Sequence, residues 1–553
     1  MIKHSLITAA TLSLLIGCGS EDDSLLSLES YQPQNEANDV PVDSTITLSL
    51  NGPVNVVSLD SDLITLTSTV TNRSISGDIS YDQNTQQVTF QPDHKLAVNT
   101  EYSVNLKAGV NDGANQSIDE TNWSFTTNGD YEFQLMNLTE TCNDVCDSEL
   151  WLVADGGEVR QIANINPTNS SYPSASTIQY KGLYFVSAED GTHGRELWVT
   201  DGTESYTELF ADLVAGTASS YPGQFTQLGD YLYFTANNGT NNGTLWRTDG
   251  TVEGTIEVAN PRPNSSPGIS DLRTFNQKLI FTAYSDDYGH EIYISDGTSE
   301  GTQLIKDLNE GDGLSGAEFL FEQNGELFFN GSDGNDTDTN PDHHSYSLFK
   351  TDGTAEGTVL VKDINPTENS SSESNITLPV EFGDKHYFLA NDGVNGHQLW
   401  QTDGTEDGTT MVKLIVANGI NVRTMAVYNN KLYIAEASTG LWESDGTEAG
   451  TKLVKSFDYT LDLSVTDNGL IVTAEDGING LRGYWLSDGT SAGTELFHDR
   501  GNNNLWLGNK IGNGTLFYEY NGVGTYYYYT DGTAGGTKIL ETPDGLNLVY
   551  SDF

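Results

Sequence analysis

The chain is expected to be all-β, a small β-sandwich followed by a large β-propeller of eight or nine four-stranded blades. Three observations predict this. A phrase built on Asp-Gly-Thr recurs at steps of 42 to 56 residues from Asp201 to Asp531. Each step holds four short runs rich in β-branched and aromatic residues, and none has a helical period. Ahead of the repeat, residues 31–128 carry a different set of short strand-like runs with turn residues between them.

Composition bounds the class. In 553 residues there are 79 acidic and 24 basic side chains, a formal net charge of −55. Nucleic acid and an anionic membrane face would both be repelled, so neither is expected as a partner. The 27 Tyr and 20 Phe separate this chain from an acidic disordered one. Its 57 glycines are the supply for many tight turns.

The first residues read as an export signal. Lys3 is followed by an apolar run from Leu6 to Ile16, too short to span a bilayer. Leu15-Ile16-Gly17-Cys18 resembles a bacterial lipobox. The resemblance implies a signal peptide over 1–17, acylation of Cys18 and a polar tether over 18–30. Several acyl chains would hold the protein on a membrane, and Gly19 after the cysteine implies the outer membrane, with either the cell surface or the periplasmic face open. The two remaining cysteines, Cys142 and Cys146, read as a small disulfide loop in an oxidising envelope.

Residues 31–128 are assigned to the sandwich from ITLSL (46–50), VNVVSL (54–59), VTF (88–90), YSVNL (102–106) and WSFTT (123–127). The stretch also resembles bacterial Ig-like domains, on NDVPVDSTITLSL (38–50), FQPDHKLAVNTEYSVNLKAGVND (90–112) and the closing WSFTT. That resemblance implies a spacer or stalk.

Residues 129–553 are assigned to the propeller. In one unit the four runs are QFTQLG (224–229), YLYFTA (231–236), GTLWRTD (243–249) and GTIEVA (254–259), lettered a to d. Four strands per period in the forties is a propeller signature. Eight units are complete. An earlier degenerate copy around ELWLVADGG, with Asp155, lacks strand a, and LNLVYSDF (546–553) is expected to supply it and close the ring. The alternative is eight blades with the first copy packed outside. The repeat resembles the ELWxxDGT repeat proteins of bacterial envelopes, on ELWVTDGT (196–203), TLWRTDGT (244–251) and LWQTDGT (399–405). The resemblance implies a secreted or surface propeller-like protein and carries no common activity.

The repeated residues read as building material. An aromatic and an Asp recur as Trp198 and Asp201, Trp246 and Asp249, Trp400 and Asp403, Trp442 and Asp445. Asp and the preceding Ser/Thr suit a tight c–d turn, Gly suits positive φ, and the aromatic suits a wedge between blades. GTSEG (297–301) and GTSAG (489–493) match a serine-nucleophile pattern, but they fall inside this turn, where other units carry no serine. No catalytic residue is assigned.

Function is expected on the face formed by the b–c and d–a connections, because variation gathers there. The largest insertion, 331–347, is a b–c loop, and the next, 365–379, is the adjoining d–a loop. The candidate binding residues are Asp333, Asp336, Asp338, Asp342, His343 and His344. Turns rich in oxygen ligands add Asp190, Asp286, Asp392 and Asp476 as candidates for Ca²⁺, against the reading that these acids satisfy their own turns. Three functions stay open: an envelope lipoprotein presenting this face to a protein or glycan, as in adhesion; a glycan hydrolase or lyase; and a periplasmic outer-membrane assembly scaffold.

Overall fold

A computed structural model describes residues 26–549, apart from 61, 112–116, 130–132, 141–147, 175–176, 204, 264, 312, 335–345, 366–375, 417–419, 478–479, 502, 521–524 and 543–547. Cys18, Cys142 and Cys146 lie outside the described residues. The chain divides into two compact units: one ends at Thr126, and the other begins at Thr127 and takes in Leu96–Thr100.

The first unit holds nine strands: β1 (Leu28–Gln32), β2 (Ala37–Val40), β3 (Ile46–Leu50), β4 (Ile64–Ser68), β5 (Ser74–Ile75), β6 (Gly77–Asp82), β7 (Gln87–Pro92), β8 (Glu101–Leu106) and β9 (Thr121–Thr127). They form two sheets, ordered β1-β3-β7-β6 and β2-β9-β8-β4-β5. Strict alternation places Ile46, Leu48, Leu66 and Val104 in the core, fully buried. Two expectations change here. The sandwich starts at Leu28, inside the stretch assigned to the tether. VNVVSL is not a strand: Val56–Ser58 form a 3₁₀ turn, Asn55 Oδ1 accepts from the Val57 amide at 3.2 Å, and Val57 is 90% exposed. A side chain that satisfies the backbone locally offers an alternative to the ladder, and here it prevails over β-branched content.

The second unit is a β-propeller. Antiparallel four-stranded sheets follow one another at 178–211, 223–259, 270–306, 318–362, 377–413, 422–456 and 459–499, each in the order a-b-c-d. These are blades 2 to 8. Strands a of neighbouring blades contact one another, which puts them innermost. The short strands d stand outside.

Blade 1 and blade 9 share one sheet. Its path runs through Val159–Ala163, Ser148–Ala154 and Phe133–Glu140 to Leu548–Val549, then into Thr525–Thr530, Gly514–Tyr520 and Asn504–Ile511, with Lys538–Ile539 beside Thr525–Thr530. Leu548 pairs with Glu140 and Val549 with Thr139, so the late strand takes the place of strand a in blade 1. Val549 also pairs with Tyr526 of blade 9. Among the described residues the ring therefore has nine blades, above the usual four to eight.

The ELW phrase explains the stacking. Successive side chains of a strand point to opposite faces, so Leu197 packs with blade 3 while Trp198 packs with blade 1. The same division continues through Leu245 and Trp246, Ile292 and Tyr293, Leu348 and Phe349, Leu399 and Trp400, and Leu441 and Trp442. It closes where Tyr527 of blade 9 meets Trp151 of blade 1. The c–d pairing shifts register between the two residues, for example at Leu197/Trp198 and Leu399/Trp400, so a β-bulge sits at each wedge. Each aromatic buries about 150–250 Å².

The DGTxxGT turn is one hydrogen-bond network used repeatedly. In blade 6, Asp403 Oδ1 accepts from the Thr405 amide at 2.9 Å and from its hydroxyl at 2.6 Å. Thr405 Oγ1 accepts from the Gly408 amide at 3.0 Å, and Thr409 Oγ1 donates to the Thr405 carbonyl at 2.7 Å. Thr402 Oγ1 accepts from the Gly404 amide and meets Thr409 Oγ1. Asp249 and Asp445 head the same network. Gly404 has φ 91°, which explains the glycine after the Asp. In blade 2, Tyr206-Thr207 replaces the second Gly-Thr, Thr200 Oγ1 donates to the Tyr206 carbonyl at 2.8 Å, and burial raises the Asp201 carboxyl above its usual range.

Lysines of the outer strands tie three of these turns, in blades 5, 7 and 8, to the preceding blade. Lys306 Nζ donates to the Thr358 carbonyl at 2.8 Å, Lys413 to Thr451 at 2.7 Å and Lys455 to Thr494 at 2.6 Å. A charged, tethered outer strand is a poor template for edge pairing.

Candidate functional site on the loop face

Strand order places the b–c and d–a connections on one face and the DGTxxGT turns on the other. Ser299 and Ser491, the serines of the two nucleophile-like patterns, are exposed within those turns, away from the loop face.

The insertion 331–347 joins Glu326–Gly331 to Ser347–Thr351, strands b and c of blade 5. Most of it, with Asp336, Asp338, Asp342, His343 and His344, lies outside the described residues. Asp333, at its root, is described, and it lines a cavity of about 580 Å³ between blades 4 and 5. The other walls are the end of strand d and the crossover of blade 4 (Lys306 to Glu310), Gly334, Phe349, and Val359 and Leu360 of the outer strand of blade 5. Leu360 is 46% exposed. The opening thus combines apolar surface with Asp307, Glu310 and Asp333. Asp307 Oδ2 accepts from the Gly311 amide at 3.2 Å, which shapes the crossover around it.

In blades 1, 2 and 4 the crossover is positioned by the Glu of the repeat, a role that the sequence did not reveal. Glu196 is fully buried; it accepts from the Leu213 amide at 2.8 Å and from the Ser220 amide and hydroxyl at 3.0 and 2.6 Å. Glu149 accepts from the Ile165 amide and the Ser171 hydroxyl. In blade 6 the same place holds Gln398, which donates to the Val416 carbonyl and accepts from the Ile415 amide. Glu291 accepts from the Asn309 amide at 3.1 Å, and burial pushes its carboxyl up to about 8. One signal was available: the tetrapeptide Ser-Ser-Tyr-Pro occurs at 170–173 and again at 219–222.

The four Ca²⁺ candidates stand on four different blades. Asp190 closes its own turn: Oδ1 accepts from the Thr192 and His193 amides at 2.8 and 2.9 Å, and Oδ2 meets His193 Nδ1 at 2.7 Å. Burial opposes its ionisation, but these bonds outweigh burial and hold it below the usual range. Asp392 does the same with Val394 and Asn395. Neutral Asn238 fills the equivalent place in blade 3, accepting from the Thr240 and Asn241 amides. Asp286 pairs with Arg262 Nε at 2.5 Å, and Asp476 sits at the end of strand b in blade 8. Among the described residues no group of three or more His, Cys, Asp or Glu side chains is placed to share a metal ion.

Residues 22–127 match the family model of the bacterial Ig-like domain. No curated protein matches the chain in sequence. Solved structures similar to it include the computationally designed Ika8 protein, 14% identical, with a TM-score of 0.35 over 68% of this chain and 95% of that one. A study of two prolyl endopeptidases gives 9% identity and a TM-score of 0.35, over 64% and 54%. BamB from Moraxella catarrhalis gives 15% identity and a TM-score of 0.32, over 59% and 95%. The chain spans about half the length of the prolyl endopeptidase. These likenesses do not extend to function.

Proposed function

We propose that this protein is a cell-envelope lipoprotein of the ELWxxDGT repeat type, anchored through Cys18, whose propeller presents its loop face to a protein or glycan partner. The observation that carries the reading is the cavity of about 580 Å³ at the root of the longest insertion, lined by Asp333, Asp307, Glu310, Val359 and Leu360. Its volume falls in the range of ligand sites, and mixed apolar and charged walls suit recognition. The repeat holds the scaffold constant and leaves this face free to vary. The Ig-like domain serves as a spacer.

The test is a binding screen of the full chain against envelope glycans and envelope proteins. Binding that falls on deletion of 335–345, or with Leu360→Asp, supports the platform; undiminished binding in both variants removes it. Cys18→Ala is expected to abolish acyl labelling and to release the protein from membranes. Protease treatment of intact cells then distinguishes the surface from the periplasmic face.

A second reading, a glycan hydrolase or lyase, is favoured by the three carboxylates around the same cavity, since such chemistry uses paired acids. Asp333→Asn, Asp307→Asn and Glu310→Gln would then each abolish glycan cleavage while binding persists. No cleavage by the unmodified chain rejects it.

A further inference from the structure

Arg195 opens strand c of blade 2, directly before Glu196. Its guanidinium carbon lies 5.9 Å from the ring centroid of Tyr172 and 5.7 Å from that of Tyr221. One tyrosine belongs to the crossover that enters blade 2 and the other to the crossover that leaves it. Two aromatic faces hold the cation by its π contacts and leave the N–H edge available. Among the described residues Arg195 has no ion pair, and its register partner Glu189 does not form one. Arg262 and Arg482, by contrast, are paired with Asp286 and Glu475.

The tyrosines are held in a conformation that bulky residues avoid. Tyr172 has φ 42° and Tyr221 has φ 48°, the left-handed region that a Cβ disfavours. The serines before them impose it. Ser170 Oγ accepts from the Ser148 amide and Ser219 Oγ from the Arg195 amide, both at 2.9 Å, while Ser171 and Ser220 donate to Glu149 and Glu196. The next crossover shows that the clamp does not need the aromatic: Ser265-Ser266-Pro267 has no tyrosine, yet Ser266 Oγ still accepts from the Asn242 amide at 2.9 Å. Scaffold therefore accounts for the serines and leaves the two tyrosines unexplained. Tyr221 is 58% exposed.

We infer that Tyr172, Arg195 and Tyr221 form a subsite for an acidic saccharide. The guanidinium takes the sugar carboxylate in a bidentate pair, and the exposed face of Tyr221 takes the apolar face of the ring. A polyacidic peptide or a nucleic acid would meet the repulsion of the whole surface; one carboxylate among hydroxyls is the anion this site can accept. The inference rests on the loop face being the binding face and names one ligand class for it.

The experiment is calorimetric titration of the full chain with the methyl glycosides of galacturonate and mannuronate and with sialyllactose, each a single carboxylate among hydroxyls, and each beside its methyl ester. At least one acid is expected to bind, with its ester at least tenfold weaker. Arg195→Ala is expected to lose tenfold or more, and Tyr221→Ala several-fold, at unchanged melting temperature. If Arg195→Ala unfolds the protein, Arg195→Lys keeps the charge without the planar fork and is expected to bind more weakly than wild type. The inference is overturned if none of the three acids binds, if acid and ester bind alike, or if binding survives Arg195→Ala, or survives Arg195→Lys at full strength. Binding that depends on 335–345 and not on Arg195 overturns this subsite and leaves the platform standing.

Discussion

Tyr529 donates a hydrogen bond to Asp155 Oδ1 at 2.6 Å across 374 residues of sequence, joining the last blade to the first. Asp155 is the Asp of the degenerate repeat copy. It accepts from the adjacent Gly156 amide rather than from the amide two residues on, as the other repeats do, and also from the Asn513 amide of blade 9 at 3.3 Å. The copy that looks worn in sequence is adapted to the seam.

Tyr529→Phe is expected to destabilise the propeller by about 1 kcal/mol, the worth of one buried hydrogen bond. Burial, with the bond to Asp155, pushes the Tyr529 phenol up to about 12. Its folded value lies above the unfolded one near 10, so the contribution is complete below about pH 10 and is lost as pH rises through about 12. Denaturant unfolding of both proteins at pH 7 and pH 11.5 checks this: the gap should be smaller at the higher pH.

Glu291 supplies a test of the opposite kind. A buried carboxyl raised to about 8 favours the folded state when protonated, and that stability is lost as pH rises from the unfolded value near 4.5 through about 8. Glu291→Gln keeps the acceptor for the Asn309 amide and removes the titration, as Gln398 already does in blade 6. The melting temperature should rise by a few degrees at pH 9 and change little at pH 4. Equal effects at both pH values would refute the account.

The second glycine of DGTxxGT is a steric requirement. A Cβ on Gly450 would overlap Asp445 Oδ1, whereas one on Gly535, inside the equivalent turn of blade 9, would meet nothing within 4 Å. Gly450→Ala should cost about 1–3 kcal/mol through the displaced turn, and Gly535→Ala should be close to neutral. Paired urea titrations distinguish them.

Lys413→Met keeps the apolar stem and removes the donor to the Thr451 carbonyl. A loss of about 1–2 kcal/mol is expected. Amide exchange should increase first in the Asp445 turn, ahead of the strands of blade 7, if the lysine ties that turn to blade 6.

Much of this architecture was legible in the sequence because it rests on local, repeated rules. The spacing of the Asp residues marked the blades, and the aromatic of ELW marked the wedge. The Glu of the same phrase was not legible, because Glu196 acts on Leu213 and Ser220, segments 17 and 24 residues away that follow no fixed period. VNVVSL misled for the converse reason, since one Asn side chain prevailed over a β-branched composition. At the site, the strand-like runs flanking 331–347 marked that insertion as a b–c connection, with Asp333 at its root. The Tyr172–Arg195–Tyr221 arrangement depends on three segments converging, and only the duplicated Ser-Ser-Tyr-Pro hinted at it.

Leu197 and Trp198 face opposite neighbours, and so does the corresponding pair in every other blade. Each unit therefore recognises only the unit before it and the unit after it, and carries no record of how many others exist. The number nine is written at one place, where Val549 reaches both Thr139 and Tyr526 and where Asp155 meets Tyr529. A duplicated or deleted blade would pack as well as its siblings along both flanks and would be detected only at that seam. The seam does the counting for the whole ring.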